Sequence, residues 1–509
     1  MNLLNIKYYH LRPLVLFFIL YSNLFSNSSC IISDSRDIIR NSYTFPEQIQ
    51  SEHFVIHFTV SDVDSQLVNS QWMSLQSNFT FAQSIIDLAE VAYDKYMEKD
   101  WIAPPPDCDE SILDINSVNH CINFGGNSLY DIYISNDGVG MVVPETPYNV
   151  PPYTGGYTTF MKVSTMQNAY TTLPSWATHV VAHELHHSIQ LRYGYSTSGE
   201  PGNYMHNAWF FEQSATYMEN MIFPNTNHLQ LMLNNCSVVT PLTFPDYSID
   251  YPSSIYPYRS ALWQKYLVES LGDSSIIRLL WEDYGSRYAT GDPVSLFPIY
   301  STAIDNVSNN GANLSEAYKD YAVWRYFTGN RAINGEFFNE ANNYCTSTIV
   351  SEFEGDFEIT SNKGGAYFFD LPLELLTLNL ITSSPSMLNL VHLVVNDNGI
   401  ETNDLELENE VNLLNLDGLN MTSHVLIVTP SYNDASHVVL NFTIALDDSP
   451  LLGDVNFDNE INVLDVVAII NFSLLIELPN DLEFEASDIN NDNFINVLDV
   501  VQLINLILT

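Results

Sequence analysis

The most constraining feature of this sequence is an H-E-x-x-H motif, formed by His183, Glu184 and His187 inside a segment with helical character. Residues four positions apart lie on the same face of a helix, so the two histidines can bind one zinc ion together. Glu184 then lies beside the position of a metal-bound water. Zinc lowers the pKa of such a water towards neutrality, and an adjacent carboxylate can accept its proton. The motif therefore predicts a helix that carries zinc and a general base.

The residues around the motif favour a buried helix over a surface helix in which the match is accidental. The segment from Ser175 to Leu191 is strongly apolar, and Pro174 followed by Ser175 provides a helix start. Two histidines and a glutamate in such a helix are costly to bury without a partner. A metal ion is the simplest partner, so we expect a buried zinc site.

A catalytic zinc needs a third protein ligand. A histidine six residues after the motif is excluded, because Gln190 and Tyr193 stand where the pattern H-x-x-G-x-x-H requires glycine and histidine. We expect Glu212 instead, because it lies inside a second apolar and aromatic segment, where a carboxylate is costly unless paired or metal-bound. Glu219 is the competing ligand or a carboxylate that orients an imidazole. His206 is a weaker candidate.

The motif and the later pattern W-F-x-E-x-x-A-T around Glu212 resemble the gluzincin metallopeptidases, especially secreted bacterial members with appended modules. The resemblance covers residues 52–345. It implies an α+β zincin-like metallopeptidase domain with one catalytic zinc on His183, His187 and Glu212, and with Glu184 as general base. The sequence has no G-x-M-E-N-like amine-binding motif upstream of the zinc helix, which favours an endopeptidase over an aminopeptidase.

A second resemblance concerns the group that stabilises the oxyanion. The run P-Y-R-S-A-L-W at residues 257–263 is similar to the P-Y-x-K-G-A helix of zinc aminopeptidases, in which the tyrosine hydrogen-bonds the tetrahedral intermediate. Carried over, this implies that Tyr258 is the donor. Arg259 and Ser260 depart from the x-K-G pattern of that family, so Tyr256 stays open as an alternative.

The net charge of the chain limits the kinds of partner that it can bind. The 509 residues include 16 Lys and Arg against 61 Asp and Glu, which gives a formal net charge of −45. Such a chain should repel nucleic acid and anionic membrane surfaces. We expect a protein or peptide substrate and no nucleic acid. No internal run is long and apolar enough to cross a bilayer, so we expect no transmembrane segment after signal cleavage.

The N-terminus has the pattern of a secretory signal peptide, which we assign to residues 1–29. Lys7 and Arg12 precede a short apolar run at residues 14–20. The mature protein is therefore expected to be extracellular, either secreted or associated with the cell surface. Cys30 is a candidate for lipidation.

Four further cysteines lie in the expected mature chain, and export allows them to pair. Cys108 and Cys121 would close a short loop, whereas the pairing of Cys236 and Cys345 is left open. None of them has the spacing of a metal site.

The sequence predicts three domains after the leader. Residues 45–350 are expected to form the zinc metallopeptidase domain, with a strand at 54–58, a helix at 81–97 and mainly helical structure from 258 to 328. At residues 351–448, short apolar segments recur between turn residues and predict an all-β sandwich domain. We expect the sandwich to be a spacer or a substrate-docking module. Residues 451–509 are expected to form a small α domain.

The tail at 451–509 contains a tandem repeat in which I-N-V-L-D-V-V occurs twice. Oxygen side chains at positions 1, 3, 5, 9 and 12 of each loop suit calcium, and position 7 offers a backbone carbonyl. Asn459 and Asn493 replace the usual glycine of position 6, and asparagine tolerates the left-handed backbone required there. The predicted ligands of two structural calcium ions are Asp454, Asn456, Asp458, Glu460, Asn462, Asp465, Asp488, Asn490, Asp492, Phe494, Asn496 and Asp499.

An aspartate at position 12 and a single helix after each loop resemble a type I dockerin. This resemblance implies a cohesin as partner. The family commonly reads its partner through small hydroxyl residues at positions 10 and 11. Here those positions hold Val463-Leu464 and Val497-Leu498, so an apolar intramolecular or cell-surface docking role also stays open.

Taken together, the sequence predicts a secreted zinc peptidase that hydrolyses peptide bonds of extracellular proteins and uses a calcium-stabilised tail for docking or assembly. One alternative is a noncatalytic scaffold or binding protein of an extracellular complex, against which the intact His183, Glu184 and His187 argue. The other is a dockerin-borne carbohydrate-active enzyme. Only the tail suggests it, because the catalytic region has no recognisable pair of carboxylates for glycoside hydrolysis.

Overall fold

The computed structural model describes residues 40–68, 70–106, 127–136, 138–165, 175–195, 204–252, 255–290, 295–308, 313–373, 377–396, 399–405, 411–415, 423–431, 438–446, 451–458 and 460–508. The predicted signal peptide, Cys30, the Cys108–Cys121 pair and Asn459 lie outside these residues. Within them, no helix combines the length and the apolar character that crossing a membrane requires.

A mixed β-sheet lies at the base of the first part of the chain. The described strands are β1 (Glu47–Gln50), β2 (Phe54–Phe58), β3 (Ser65–Val68), β4 (Gln71–Ser74), β5 (Tyr130–Ser135), β6 (Gly140–Tyr148) and β7 (Gly156–Ser164). Five of them form the sheet in the order β1-β2-β5-β7-β6, and β3 pairs with β4 in a separate hairpin. β2, β5 and β7 are parallel, whereas β1 and β6 are antiparallel edge strands. The predicted strand at 54–58 is β2.

Three helices follow or interrupt these strands in sequence: α1 (Phe79–Met97), α2 (Ser175–Tyr193) and α3 (Tyr204–Ile222). α1 and α2 pack on the strands, and α3 packs on α2. The side chain of Asn78 caps α1 by accepting a hydrogen bond from the Phe81 N–H. α2 is buried on nearly all sides, as its apolar sequence predicts.

The chain continues through a further group of helices, in agreement with the predicted helical character of residues 258–328. Their bounds are α4 (His228–Leu233), α5 (Tyr256–Arg259), α6 (Leu262–Leu271), α7 (Ile276–Thr290), α8 (Leu296–Val307) and α9 (Leu314–Tyr326). A disulfide joins Cys236 to Cys345, with a Cα–Cα distance of 5.5 Å. It ties the end of this helical part to the segment that follows α4.

Two antiparallel sheets follow. Their strands are β8 (Gly355–Thr360), β9 (Tyr367–Leu371), β10 (Thr377–Thr382), β11 (Leu388–Asn396), β12 (Gly399–Leu405), β13 (Val411–Asn415), β14 (Ser423–Pro430) and β15 (Val439–Leu446). The sheet orders are β13-β10-β15-β8 and β12-β11-β14-β9. Successive side chains of a strand point to opposite faces. In β9, Phe369 faces the core between the sheets, whereas Phe368 faces the opposite side.

That opposite side packs against helix α9. Ala322 and Tyr326 of α9 share a buried cluster with Phe368 and Ile427 of the sheet. Arg325, also from α9, is 1% exposed and donates hydrogen bonds to the carbonyls of Pro241, Pro245 and Gly364. The helical part and the sandwich therefore share a buried apolar cluster.

The tail contains α10 (Val463–Ser473), α11 (Asp481–Ser487) and α12 (Val497–Leu508). α10 and α12 each follow one of the predicted calcium loops, and the short α11 lies between the two repeats. Val466 and Ile469 of α10, Ala486 of α11 and Leu503 of α12 form a small core of their own.

The disulfide should contribute to the stability of the helical part. It closes a loop of 109 residues, and restricting the unfolded chain in this way stabilises a fold by about 2–4 kcal/mol. We expect the double variant Cys236→Ala, Cys345→Ala to lose about this much free energy of unfolding in urea titrations. A non-reduced digest in which Cys236 carries a free thiol would contradict the pairing.

Candidate metal centre

Helices α2 and α3 pack against each other, and buried polar side chains from both meet between them. His183 and His187 come from one face of α2, and Glu212 comes from the middle of α3. All three side chains are buried. Each offers one ligand atom, and the three atoms lie within 4.8 Å of one another, the one such group of potential metal ligands among the described residues. The structure thus brings the three predicted zinc ligands together.

The two distances from Glu212 to the imidazoles are close to those of a tetrahedral metal site. Oε2 of Glu212 lies 3.1 Å from Nε2 of His183 and 3.3 Å from Nε2 of His187. With zinc–ligand distances near 2.0–2.1 Å, tetrahedral ligand atoms lie about 3.3–3.4 Å apart. Two imidazoles and one carboxylate also form a donor set that zinc prefers. The residues present therefore fit this ion.

Electrostatics favour the protonation states that metal binding needs. Burial raises the pKa of Glu212, but the adjacent imidazoles of His187 and His183 outweigh burial and hold the pKa well below its ordinary value. Burial lowers the pKa of His187 further than Glu212 raises it. At neutral pH the carboxylate is therefore anionic and His187 is neutral, and these are the forms that bind metal ions.

Each imidazole is held by a second hydrogen bond at its other nitrogen. Nδ1 of His183 lies 2.7 Å from Oε1 of Glu219, and Nδ1 of His187 lies 2.7 Å from Oε1 of Gln190. The Gln190 amide in turn donates to the carbonyl of Phe211. With Nδ1 donating in both rings, each Nε2 keeps its lone pair for a metal. Glu219 thus lies where the predicted orienting carboxylate should lie, on the opposite side of His183 from Glu212.

Glu184 lies against the first residue of edge strand β6. A Cβ atom at Gly140 would be 2.6 Å from Oε1 of Glu184 and 2.7 Å from Cγ1 of Val180. Only glycine leaves space for the Glu184 side chain here. Glu184 is 3% exposed and directly follows His183 in α2.

The two candidate tyrosines have different surroundings. The ring of Tyr258 stacks on the ring of His183, with centroids 5.6 Å apart and planes 14° apart. Tyr256 is 1% exposed and packs among Tyr247 and Tyr251, and its hydroxyl has no hydrogen-bond partner among the described residues. The geometry therefore places Tyr258 beside the candidate metal ligands and Tyr256 in an aromatic core. His206 lies in the first turn of α3, and its side chain is outside the described part.

Two histidines near the ligands were not predicted from the sequence. Nδ1 of His228, in the first turn of α4, lies 2.6 Å from Oε2 of Glu219. The ring of His179, one helical turn before His183, stacks on His228 at 4.0 Å. The sequence could have indicated His179, because it lies four residues before His183 and therefore shares a helix face with it. No local pattern marks His228, which reaches the site from a separate helix.

The calcium loops show the same hydrogen bonds in both copies. In the first copy, the Asp458 N–H donates to Asp454, and Asp465 accepts from the Asn462 N–H at 2.8 Å. In the second, the Asp492 N–H donates to Asp488, and Asp499 accepts from the Asn496 N–H, also at 2.8 Å. The carboxylates at positions 1 and 12 are buried in both loops. Backbone at Asn493 is left-handed with φ of 63°, as predicted for position 6.

Comparison with known protein families assigns two parts of the chain. The tail, residues 452–508, matches the type I dockerin domain, which confirms the dockerin prediction and identifies a calcium-binding module. Residues 25–298 match a family described as "Family of unknown function (DUF6055)". No curated protein matches the chain significantly. Because the second match spans more than half of the 509 residues, the chain belongs to the DUF6055 family and carries a type I dockerin domain at its C-terminus.

Proposed function

We propose that this chain is a secreted, zinc-dependent peptidase of the gluzincin type that joins an extracellular assembly through its dockerin domain. One observation carries the proposal. Oε2 of Glu212 lies within 3.3 Å of Nε2 of both His183 and His187, and the buried Glu184 directly follows His183 in α2. A hydrolase that uses metal-bound water needs this combination of ligands and base.

His183, His187 and Glu212 would hold the zinc ion, which when bound polarises a carbonyl and lowers the pKa of a water. The carboxylate of Glu184 accepts a proton from the attacking water as its oxygen bonds to the peptide carbon. The C–N bond then breaks, and Glu184 returns the proton to the leaving amine. The Tyr258 hydroxyl donates a hydrogen bond to the oxygen that becomes negative.

The sheet edge at β6 supports a peptide as substrate. β6 is the outermost strand in the sheet, and among the described residues no strand pairs with its outer side. Its first residue, Gly140, lies against Glu184. An extended peptide can add to such an edge through backbone hydrogen bonds. A peptide bound along β6 would therefore lead to the general base.

The dockerin domain supports a cohesin-like partner and an extracellular location. It also favours the second candidate function, a noncatalytic member of an extracellular complex, in which the zinc site would bind a ligand without cleaving it. The two functions differ in what a mixed peptide library reveals: cleaved peptides support the peptidase, whereas no cleavage by zinc-loaded protein supports the noncatalytic function. Release of reducing sugar from polysaccharides would instead favour the alternative of a carbohydrate-active enzyme.

The roles of Glu184 and Glu212 can be separated by substitution. Glu184→Gln should lower kcat by about 10²–10⁴-fold, because the base is lost, and leave the zinc content unchanged. Glu212→Ala should lose zinc and activity together, because a ligand is removed. Peptide cleavage and metal analysis by mass spectrometry measure both effects.

Glu90→Gln is the matched control, because Glu90 is a partly buried glutamate paired with His53. It should change neither zinc content nor kcat. Activity that survives in Glu184→Gln would overturn the assigned base. Wild-type protein that binds zinc but cleaves no peptide would favour the noncatalytic function.

The contribution of Tyr258 can be compared with that of Tyr256. Tyr258→Phe should lower kcat by about 10²–10³-fold with little change in KM, because the lost hydrogen bond forms mainly in the transition state. Tyr256→Phe should leave kcat nearly unchanged, since the hydroxyl of Tyr256 lies in an aromatic core. The opposite ranking in steady-state assays would assign the oxyanion donor to Tyr256.

Calcium should stabilise the tail specifically. At free calcium a hundredfold above the dissociation constant, each site adds about 2.7 kcal/mol to the free energy of unfolding. Asp465→Ala and Asp499→Ala should each remove one site, because each takes away a buried carboxylate at position 12. Asp481→Ala, at an exposed aspartate outside the loops, is the control. Calorimetry with and without chelator measures these effects. If all three variants bind two calcium ions, Asp465 and Asp499 are not the ligands assigned here.

A further inference from the structure

A chain of three side chains leads from the candidate metal ligand His183 towards the protein surface. Glu219 lies between two histidines and uses both of its oxygens. Oε1 is 2.7 Å from Nδ1 of His183, and Oε2 is 2.6 Å from Nδ1 of His228. The Glu219 side chain is 2% exposed, whereas that of His228 is 29% exposed. His228 is therefore the member of this chain that solvent reaches.

The position of His228 is set by elements other than the metal helices. It opens helix α4, directly after Asn227, whose backbone is left-handed with φ of 51°. Its ring stacks on His179 with centroids 4.0 Å apart and planes 20° apart. His179 lies one turn before His183 in α2. Contacts from two directions thus fix the His228 ring against Glu219.

A carboxylate that is almost fully buried needs donors for both oxygens. If Oε2 of Glu219 lost the N–H of His228, rotation of the carboxylate towards water would become favourable. Rotation would take Oε1 away from Nδ1 of His183. Without that acceptor, His183 could carry its proton on Nε2 instead, and Nε2 could then no longer bind a metal.

We infer that His228 is a positioning residue of the metal centre, which holds Glu219 so that His183 presents Nε2 as a ligand. The inference rests on the metal-binding part of the proposed function and not on peptide hydrolysis. Its direct readout is the affinity for zinc.

The chain offers a matched pair for comparison. Nδ1 of His53 lies 2.7 Å from Oε2 of Glu90, and the His53 side chain is 31% exposed. The His53 ring also stacks on an aromatic neighbour, Tyr93, with centroids 4.0 Å apart. This pair has the chemistry and stacking of the His228–Glu219 pair and a histidine of similar exposure, although Glu90 is 21% exposed. It lies away from the metal centre, on α1 and on the residue before β2.

The test measures zinc affinity of the full-length protein by competition with a chelator. His228→Leu should weaken zinc binding on the order of tenfold, the lower end of effects seen for residues behind metal ligands. His228→Asn should retain most of the affinity, because its amide N–H can replace Nδ1–H. His228→Gln should weaken binding, because its amide lies nearer to the position of Nε2. His53→Leu should bind zinc like the wild type.

Three outcomes would overturn the inference: wild-type affinity in His228→Leu, equal losses in His53→Leu and His228→Leu, or an equal loss in His228→Asn and His228→Gln. If His228→Leu does not fold, the comparison of His228→Asn with His228→Gln still tests the role of His228. Wild-type protein that takes up no zinc would overturn this inference and the zinc site together. Wild-type protein that binds zinc but cleaves no peptide would overturn only the peptidase, and the affinity comparison would still decide the role of His228.

Discussion

One carboxylate oxygen, Oε2 of Glu212, joins the two central helices of the first part of the chain. It faces Nε2 of both His183 and His187, and all three side chains are at most 5% exposed. A buried carboxylate is tolerated when charged or hydrogen-bonding partners surround it. α2 and α3 must therefore pack in the one arrangement that brings these side chains together. The aromatic flank of Glu212, in which Phe210 and Phe211 contact Trp281, makes that arrangement dense.

The same helix uses histidine in two opposite ways. His183 and His187 each have a hydrogen-bond partner at Nδ1 and lie with Nε2 near Oε2 of Glu212, whereas His186 is fully buried with no hydrogen-bond partner for either nitrogen among the described residues. Burial holds the pKa of His186 well below its usual value, so its ring is neutral. It stacks on Tyr96 and meets the edge of Trp101, and thus packs as an aromatic side chain. Neighbouring histidines in one motif therefore differ because α2 has one face towards α3 and another towards α1.

The sequence predicted those parts of the site that depend on spacing along a helix. His183 and His187 share a face because they are four residues apart, and Glu212 was recognisable as a carboxylate in an aromatic segment. The hydrogen bonds that hold the metal-ligand histidines from their other side could not be predicted from the sequence. His228 reaches Glu219 from a different helix, and the disulfide spans 109 residues, so neither has a local signature. The two tyrosine candidates could not be separated for a similar reason: they are two residues apart on a short helix, which puts the Tyr256 ring in the core and stacks the Tyr258 ring on His183.

The short apolar segments of the sandwich predicted two packed sheets. Alternation of side chains along a strand does not show which outer face of a sheet contacts another part of the chain. The face that carries Phe368 and Ile427 packs on α9, and the buried Arg325 of α9 binds three carbonyls from two separate segments. A spacer would need no shared core. Removing the sandwich would expose the apolar side of α9 to water, so the free energy that stabilises the helical part includes contacts made by the sandwich. The tail, with its own small core and its own ion sites, has no such dependence among its described core contacts.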